Sequence, residues 1–316
     1  MSRVLNNKPG VSPENRARIL SVIKACNYTP NALARSLVTQ VTKTIGVVMD
    51  DLCEKFFFQL INGLQDQGEA LGYNVLFCSG RGKLDIKDRY VDYFSHGRAD
   101  GIIAFGSRLM DGPMVRRAIE RVPHFVLIEG DIPNLPINRV ALDNAGGAYL
   151  ATKHLIDIGR QRICHFTSDM NYAVSQERLD GFLRAMREGG RPILADTIIR
   201  ADFEEQVSYQ QMSAMIRAGA VPDACFVGAD KSAYGVLRAL YENHLRVPTD
   251  VAVIGFDDEE PDSHDMLFQK LTTMRQPLYQ MGQAGIALLV HTIQNPGAPP
   301  QVTRFQPEFV IRETCP

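Results

Sequence analysis

The chain reads as an α/β protein whose body carries two parallel sheets, and three observations predict this. From Thr44 onward, short apolar runs rich in β-branched residues alternate with segments whose apolar residues recur at three and four, the pattern of βα units. These runs are too many for one small open sheet. At 316 residues the chain is long enough for about two domains.

The elements follow in order. Ser12, Pro13 and Glu14 are an N-cap, a first-turn proline and a first-turn acid. They start a helix carrying Ala17, Ile19, Leu20, Val22 and Ile23 that finishes near Asn27 and needs a partner for its apolar side. TPNALARSLVTQVTK is a short helical stretch, marginal on its own, that orders only against another chain or a ligand. The strands are IGVVMD, YNVLFCSG, DGIIAFGS, HFVLIEG, RVALDN, RICHFTSD, ACFVGAD and VAVIGFD. Segments such as FFFQLINGLQDQGEALG and AGGAYLATKHLIDIG form helices between them, ending at Gly as helix C-termini often do. LTTMRQP followed by LYQMGQAGIALLVHTIQ is a late crossover into a final helix. In open parallel sheets ligands gather at the carboxyl ends of strands, and Asp50, Asp51, Ser107, Glu129, Asp230, Asp257 and Asp258 fall there, describing a polar cleft.

Composition narrows the function. Residues 1–43 hold seven Lys or Arg against Glu14 alone, whereas the remainder holds 27 basic and 35 acidic side chains, so a basic arm on an acidic body predicts a polyanionic partner. Six scattered cysteines without a C-x-x-C pair fit free thiols rather than a disulfide framework or a zinc site. No apolar run approaches the roughly 18 residues of a membrane span, and the polar start lacks a secretory h-region, which predicts a cytoplasmic protein. G-x-G-x-x-G, the P-loop, H-E-x-x-H and G-x-S-x-G are all missing from the sequence, and the seven histidines are dispersed, so no enzyme, cofactor or metal is expected.

SRVLNNKPGVSPENRARILSVIKACNYTPNALARSLVTQVTKTIGVV resembles the end of the DNA-binding headpiece and the hinge of the LacI/GalR family of transcriptional regulators. The resemblance continues through DNAGGAYLATKHLIDIGRQRI, ERLDGF, VPTDVAVIGFDDEE, LTTMRQP with its following MG, and VIRET. It implies an α/β core of two lobes like a type I periplasmic binding protein, following a partial all-α headpiece. It also implies a homodimer that binds a palindromic operator under the control of a small effector. On this resemblance residues 1–27 are headpiece and 28–43 hinge, 44–143 with 276–302 form the first lobe, and 144–275 with 303–316 the second.

Ser2, Arg3 and Asn6 match the end of the family's recognition helix and the turn after it, and Asn31, Arg35 and Leu37 match its minor-groove hinge, with Leu37 as the wedge. Val38 departs from the Lys or Ala common after that leucine. The family's headpiece opens with a helix and a turn, whereas this sequence starts Met1-Ser2-Arg3-Val4-Leu5; the resemblance therefore predicts a truncated helix-turn-helix and weakened operator binding. Asp51, Phe56, Phe57, Ser107, Glu129, Arg178, Phe203, Asp230, Asp257 and Gln276 are the expected effector contacts. Ala229 replaces the Asn of many sugar-responsive members, and the purine-responsive branch carries a further Arg that would fall near Tyr172. A sugar or sugar derivative is the expected effector. The alternatives are an effector-binding dimer that has lost DNA binding, and a solute-binding module.

Overall fold

The computed structural model describes residues 4, 9–26, 41–106, 108–130, 132, 134–261 and 269–316. They fall in two units, Met1–Thr42 and Lys43–Pro316. In the first unit, the Ser12 hydroxyl accepts from the Asn15 amide at 3.4 Å and Pro13 occupies the first turn, which starts helix α1 (Pro13–Ala25) where its caps predict. Val4 is buried, and its carbonyl accepts from Arg16 Nη1 at 3.4 Å. The apolar side expected to need a partner is open, with Leu20 47% and Val22 52% exposed.

The second unit has two lobes. Strands β1 (Thr44–Met49), β2 (Asn74–Ser79), β3 (Gly101–Phe105), β4 (Phe125–Ile128) and β5 (Asn138–Leu142) line up in one parallel sheet, joined at the β5 edge by β11 (Val302–Phe305). The continuous apolar runs of β1, β3 and β4 are buried on both faces, because helices α2 (Phe58–Ala70), α3 (Leu84–Ser95), α4 (Gly112–Arg121) and α9 (Leu278–Gln294) cover the sheet. Helices α2 and α9 touch backbone to backbone. A Cβ on Gly63 would stand 2.1 Å from the Tyr279 carbonyl oxygen and one on Gly282 2.5 Å from that of Leu60, so only glycine permits this approach.

The second lobe carries β6 (Ile163–Thr167), β7 (Ile198–Arg200), β8 (Ala224–Val227) and β9 (Ala252–Ile254), parallel in the order β7-β6-β8-β9. Its helices are α5 (Asn144–Asp157), α6 (Ala173–Glu188), α7 (Glu205–Arg217) and α8 (Asp230–Glu242). Strand β10 (Thr273–Arg275) pairs antiparallel with β12 (Glu308–Val310) and lies beside the β9 end through bridges Ile254–Thr272 and Asp257–Arg275. One apolar cluster runs from Ile45 and Met49 of the first lobe to Phe182, Phe226 and Phe256 of the second, so the lobes share a core.

All eight strands expected from the sequence are present, and β7, β10, β11 and β12 were not expected. One boundary needs correction. Val302–Phe305 belongs to the first-lobe sheet, so the chain returns to the second lobe after Phe305 rather than at residue 303. The six cysteines are free thiols. Among the described residues, no helix is long and apolar enough to cross a membrane, and no group of three or more His, Cys, Asp or Glu is arranged to hold a metal.

Candidate functional site

Strand ends of both lobes and the crossover before α9 converge on Arg178. This arginine is 3% exposed on α6, the sixth residue of the helix that follows β6. Its Nε donates to Asn144 Oδ1 at 3.0 Å and its Nη1 to the Gly228 carbonyl at 2.6 Å, and Nη1 stands 3.4 Å from Asp257 Oδ1. The guanidinium lies over the Phe256 ring, 3.8 Å from its centroid, a cation–π contact sheltered from water.

Glu129, one residue beyond β4, is buried in left-handed backbone at φ 62°. Its carboxylate accepts from the Leu142 amide at 2.9 Å and from Asn144 Nδ2 at 3.2 Å. Burial pushes Glu129 up to about 7, with Arg178 and Asn144 pulling the other way. Asp257, also at positive φ (119°), accepts from Gln276 Nε2 at 2.7 Å. Burial pushes it up to about 6 against the pull of Arg178. Gln276 Oε1 is buried without a partner, as are the hydroxyls of Ser168, Ser175 and Ser232. The structure thus brings Glu129, Arg178, Asp257 and Gln276 into one connected network around Arg178, with Asn144 joining it to Glu129.

The other expected contacts are placed differently. Asp230 starts α8 and accepts from Thr273 Oγ1 at 2.8 Å and the Glu259 amide at 2.9 Å, fixing β10 to the second lobe; burial holds its carboxyl well above the usual range. Phe57 is core, edge-on to Phe105 at 5.2 Å and to the half-buried Phe56 at 5.0 Å. Asp51 Oδ1 accepts from the Cys53 amide at 2.9 Å, tying the loop after β1. Phe203, at φ 61°, stands edge-on to Tyr172 at 5.8 Å. Lys231 lies 3.7 Å from Glu54 and 3.9 Å from Glu204. Ser107 and the expected operator contacts Ser2, Arg3, Asn6, Asn31, Arg35 and Leu37 lie outside the described residues.

Sequence reasoning missed Asn144 and the Gly228 carbonyl. Asn144 stands in the DNAGG segment, but an asparagine at a helix start reads equally well as a cap. It also missed a charged set at the lobe boundary. Asp50, Lys87, Arg108, Asp111 and Tyr172 are linked there by hydrogen bonds and ion pairs.

Comparison with known proteins adds an independent line. Residues 1–31 match the family described as bacterial regulatory proteins, lacI family, and residues 152–315 match a periplasmic binding protein-like domain. The HTH-type transcriptional repressor PurR of Glaesserella parasuis is 30% identical over 321 residues, which cover 99% of this chain and 93% of that protein. The ribose operon repressor of Halalkalibacterium halodurans is 29% identical over 314 residues, covering 99% and 92%. The Lac repressor dimer bound to operator and the anti-inducer ONPF superposes with a TM-score of 0.88 at 26% identity, covering 99% of this chain and 94% of that one.

Proposed function

The chain belongs to the lacI family of bacterial regulatory proteins and is a DNA-binding transcriptional repressor controlled by a small effector, and we propose that this effector is a sugar or sugar derivative held between the lobes. The observation that carries the effector reading is the incomplete bonding around Arg178. Its contacts use Nε and Nη1, which leaves Nη2 to bind a ligand, and Gln276 Oε1, on the residue that bonds Asp257, and the Ser168 hydroxyl, beside Gly228, are buried and unpartnered. Buried polar groups without partners are costly unless a ligand or water completes them. The carboxylates of the network, Glu129 and Asp257, suit a neutral ligand rich in hydroxyl donors better than a phosphate or carboxylate.

Arg178, Asp257 and Gln276 bind the ring hydroxyls, Glu129 orients Arg178 through Asn144, and Phe56 and Phe203 form apolar walls; Asp51 and Ser107 are further contacts, while Asp230 acts by holding β10. The purine reading, which the PurR relatives raise, would replace the hydroxyl-rich ligand by a base. Tyr172 weighs against it, since its hydroxyl is already bonded to Asp50 and Arg108. The operator is contacted by Ser2, Arg3 and Asn6 in the major groove and by Asn31, Arg35 and Leu37 in the minor groove of a homodimer. Effector and operator then act on each other's affinity by the same factor, through a change in how the lobes, and so the two hinges, meet.

Calorimetric titration of the whole protein with ribose, cellobiose, hypoxanthine and guanine tests this reading. A sugar that binds, and that changes retention of a duplex selected from a random pool, is expected. Binding of a purine with no response to either sugar would overturn it.

A further inference from the structure

The charged set at the lobe boundary has no part in the Arg178 network. Tyr172, the residue before α6 in the second lobe, reaches into the first: its hydroxyl donates to Asp50 Oδ2 at 2.7 Å and accepts from Arg108 Nε at 2.8 Å. Asp50 is held from behind by Lys87 Nζ, 2.8 Å from Oδ1, and the same ammonium bonds Asp111, whose carboxylate in turn accepts from the Arg108 amide at 3.0 Å. The backbones of Arg108 and Tyr172 form an antiparallel bridge, and the Leu109 amide donates to the Asn171 carbonyl at 2.8 Å. The Arg108 guanidinium also lies over the Tyr172 ring, 5.0 Å from its centroid.

Two features give this set its meaning. Its formal charges, Asp50 and Asp111 against Lys87 and Arg108, cancel, so it needs no external ion. The Tyr172 hydroxyl has its one proton donated and an acceptor site filled, both by first-lobe residues, so the protein itself supplies the kind of cross-lobe bonding a ligand hydroxyl could make. Burial and the neighbouring Asp50 keep the phenol protonated far above neutral pH, so the donor persists at any working pH.

We propose that Tyr172 is a positioning residue that clasps the two lobes together before any effector arrives, with Lys87 orienting Asp50 to receive it. A closed fraction present without ligand raises the apparent affinity for whatever binds the closed cleft. That consequence rests on reading the cleft as the effector site, whereas the test needs no ligand.

Hydrogen exchange of the effector-free protein reads the clasp from both sides. In Tyr172→Phe, which keeps the ring, amides of Arg108–Met114 and of Asp169–Ala173 are expected to exchange about tenfold faster, the size of one lost charge-assisted hydrogen bond, while β6 and β8 keep their protection. Asp50→Asn is expected to do the same, and the double variant to go little further than either. Unchanged exchange at both segments, acceleration on one side only, or uniform acceleration that includes β6 and β8 would each overturn the clasp. Should Tyr172→Phe not fold, Arg108→Gln tests the same hydroxyl from the first lobe with the same readout. Failure here leaves the effector reading standing, because that is decided by titration.

Discussion

Lys87 and Arg178 are buried to the same degree, 3% exposed each, one in each lobe, and their surroundings could hardly differ more. Lys87 faces two carboxylates, Asp50 and Asp111, which satisfy its charge within the protein. Arg178 faces one carboxylate at 3.4 Å, an amide oxygen and a backbone carbonyl, and keeps half of its fork in reserve. A compact ammonium is suited to be saturated inside the protein, whereas a planar guanidinium can be fixed at one edge and still recognise at the other. Burial of a cation is therefore not a sign of recognition; what its donors leave undone is.

The contrast is broken most directly by removing the saturated cation. Lys87→Met leaves Asp50 and Asp111 with the half-buried Arg108 as their one remaining cation in this set, and breaking a buried pair of this kind costs about 3–5 kcal/mol. Urea unfolding is expected to show that loss, and a change below about 1 kcal/mol would mean that water, not Lys87, stabilises these carboxylates. The unsaturated cation behaves in the opposite way. Arg178→Ala is expected to weaken effector binding roughly a hundredfold, the worth of charge-assisted hydrogen bonds from a guanidinium, while sedimentation still shows the wild-type oligomer. Arg178→Lys is expected to rescue little, since a point charge cannot hold Asn144 and a ligand together. Unchanged affinity in Arg178→Ala for the sugar that binds wild type would put the site elsewhere.

How far these two regions were legible in the sequence follows from the distances along the chain. The parallel strands announced themselves because burial on both faces makes them continuous apolar runs, and their ends placed Glu129, Asp230 and Asp257 at the cleft side without any structure. Lys87 gave no signal. In LDIKDRYVDYF it reads as part of a solvated helix face, and its partners stand 24 and 37 positions away, while Tyr172 bonds Asp50 across 122 residues. Strand β11 was lost for a different reason. As the edge of its sheet it is largely exposed and polar, so it carries no apolar run, and the boundary after the final helix was drawn too early. Phe57 was expected to line the cleft because FFF is too apolar for a helix start; the same apolarity is satisfied by packing against Phe105.

Titration of the Arg178 network in place is expected to give the smallest of these effects. Glu129 is held up to about 7 and Asp257 up to about 6, each above its unfolded value, chiefly because burial disfavours the charge. A carboxyl raised on folding binds more protons folded than unfolded, so its contribution to stability is complete below the unfolded pKa and is lost as pH rises through the folded one. For Glu129 that window runs from 4.5 to about 7, and for Asp257 from 3.8 to about 6. Asp250, held down to about 2 by Arg246, acts only below this window, but buried His165, pushed down to about 4, adds stability as pH rises towards 6.5, and Asp230, Glu54 and Glu177, raised by burial, add to the fall, so Glu129 is read from the difference between wild type and Glu129→Gln. Thermal unfolding is therefore expected to show the stability of wild type relative to Glu129→Gln falling by at least about 1 kcal/mol between pH 5 and 8, the equivalent of one pKa unit or more. In Glu129→Gln the neutral amide can still accept from Asn144, the fall is expected to flatten, and Lys87→Met, which touches none of these groups, is expected to keep it. A stability difference between wild type and Glu129→Gln that does not change across the same range would mean that Arg178 compensates Glu129 fully, and that the cation in the second lobe is as saturated as the one in the first.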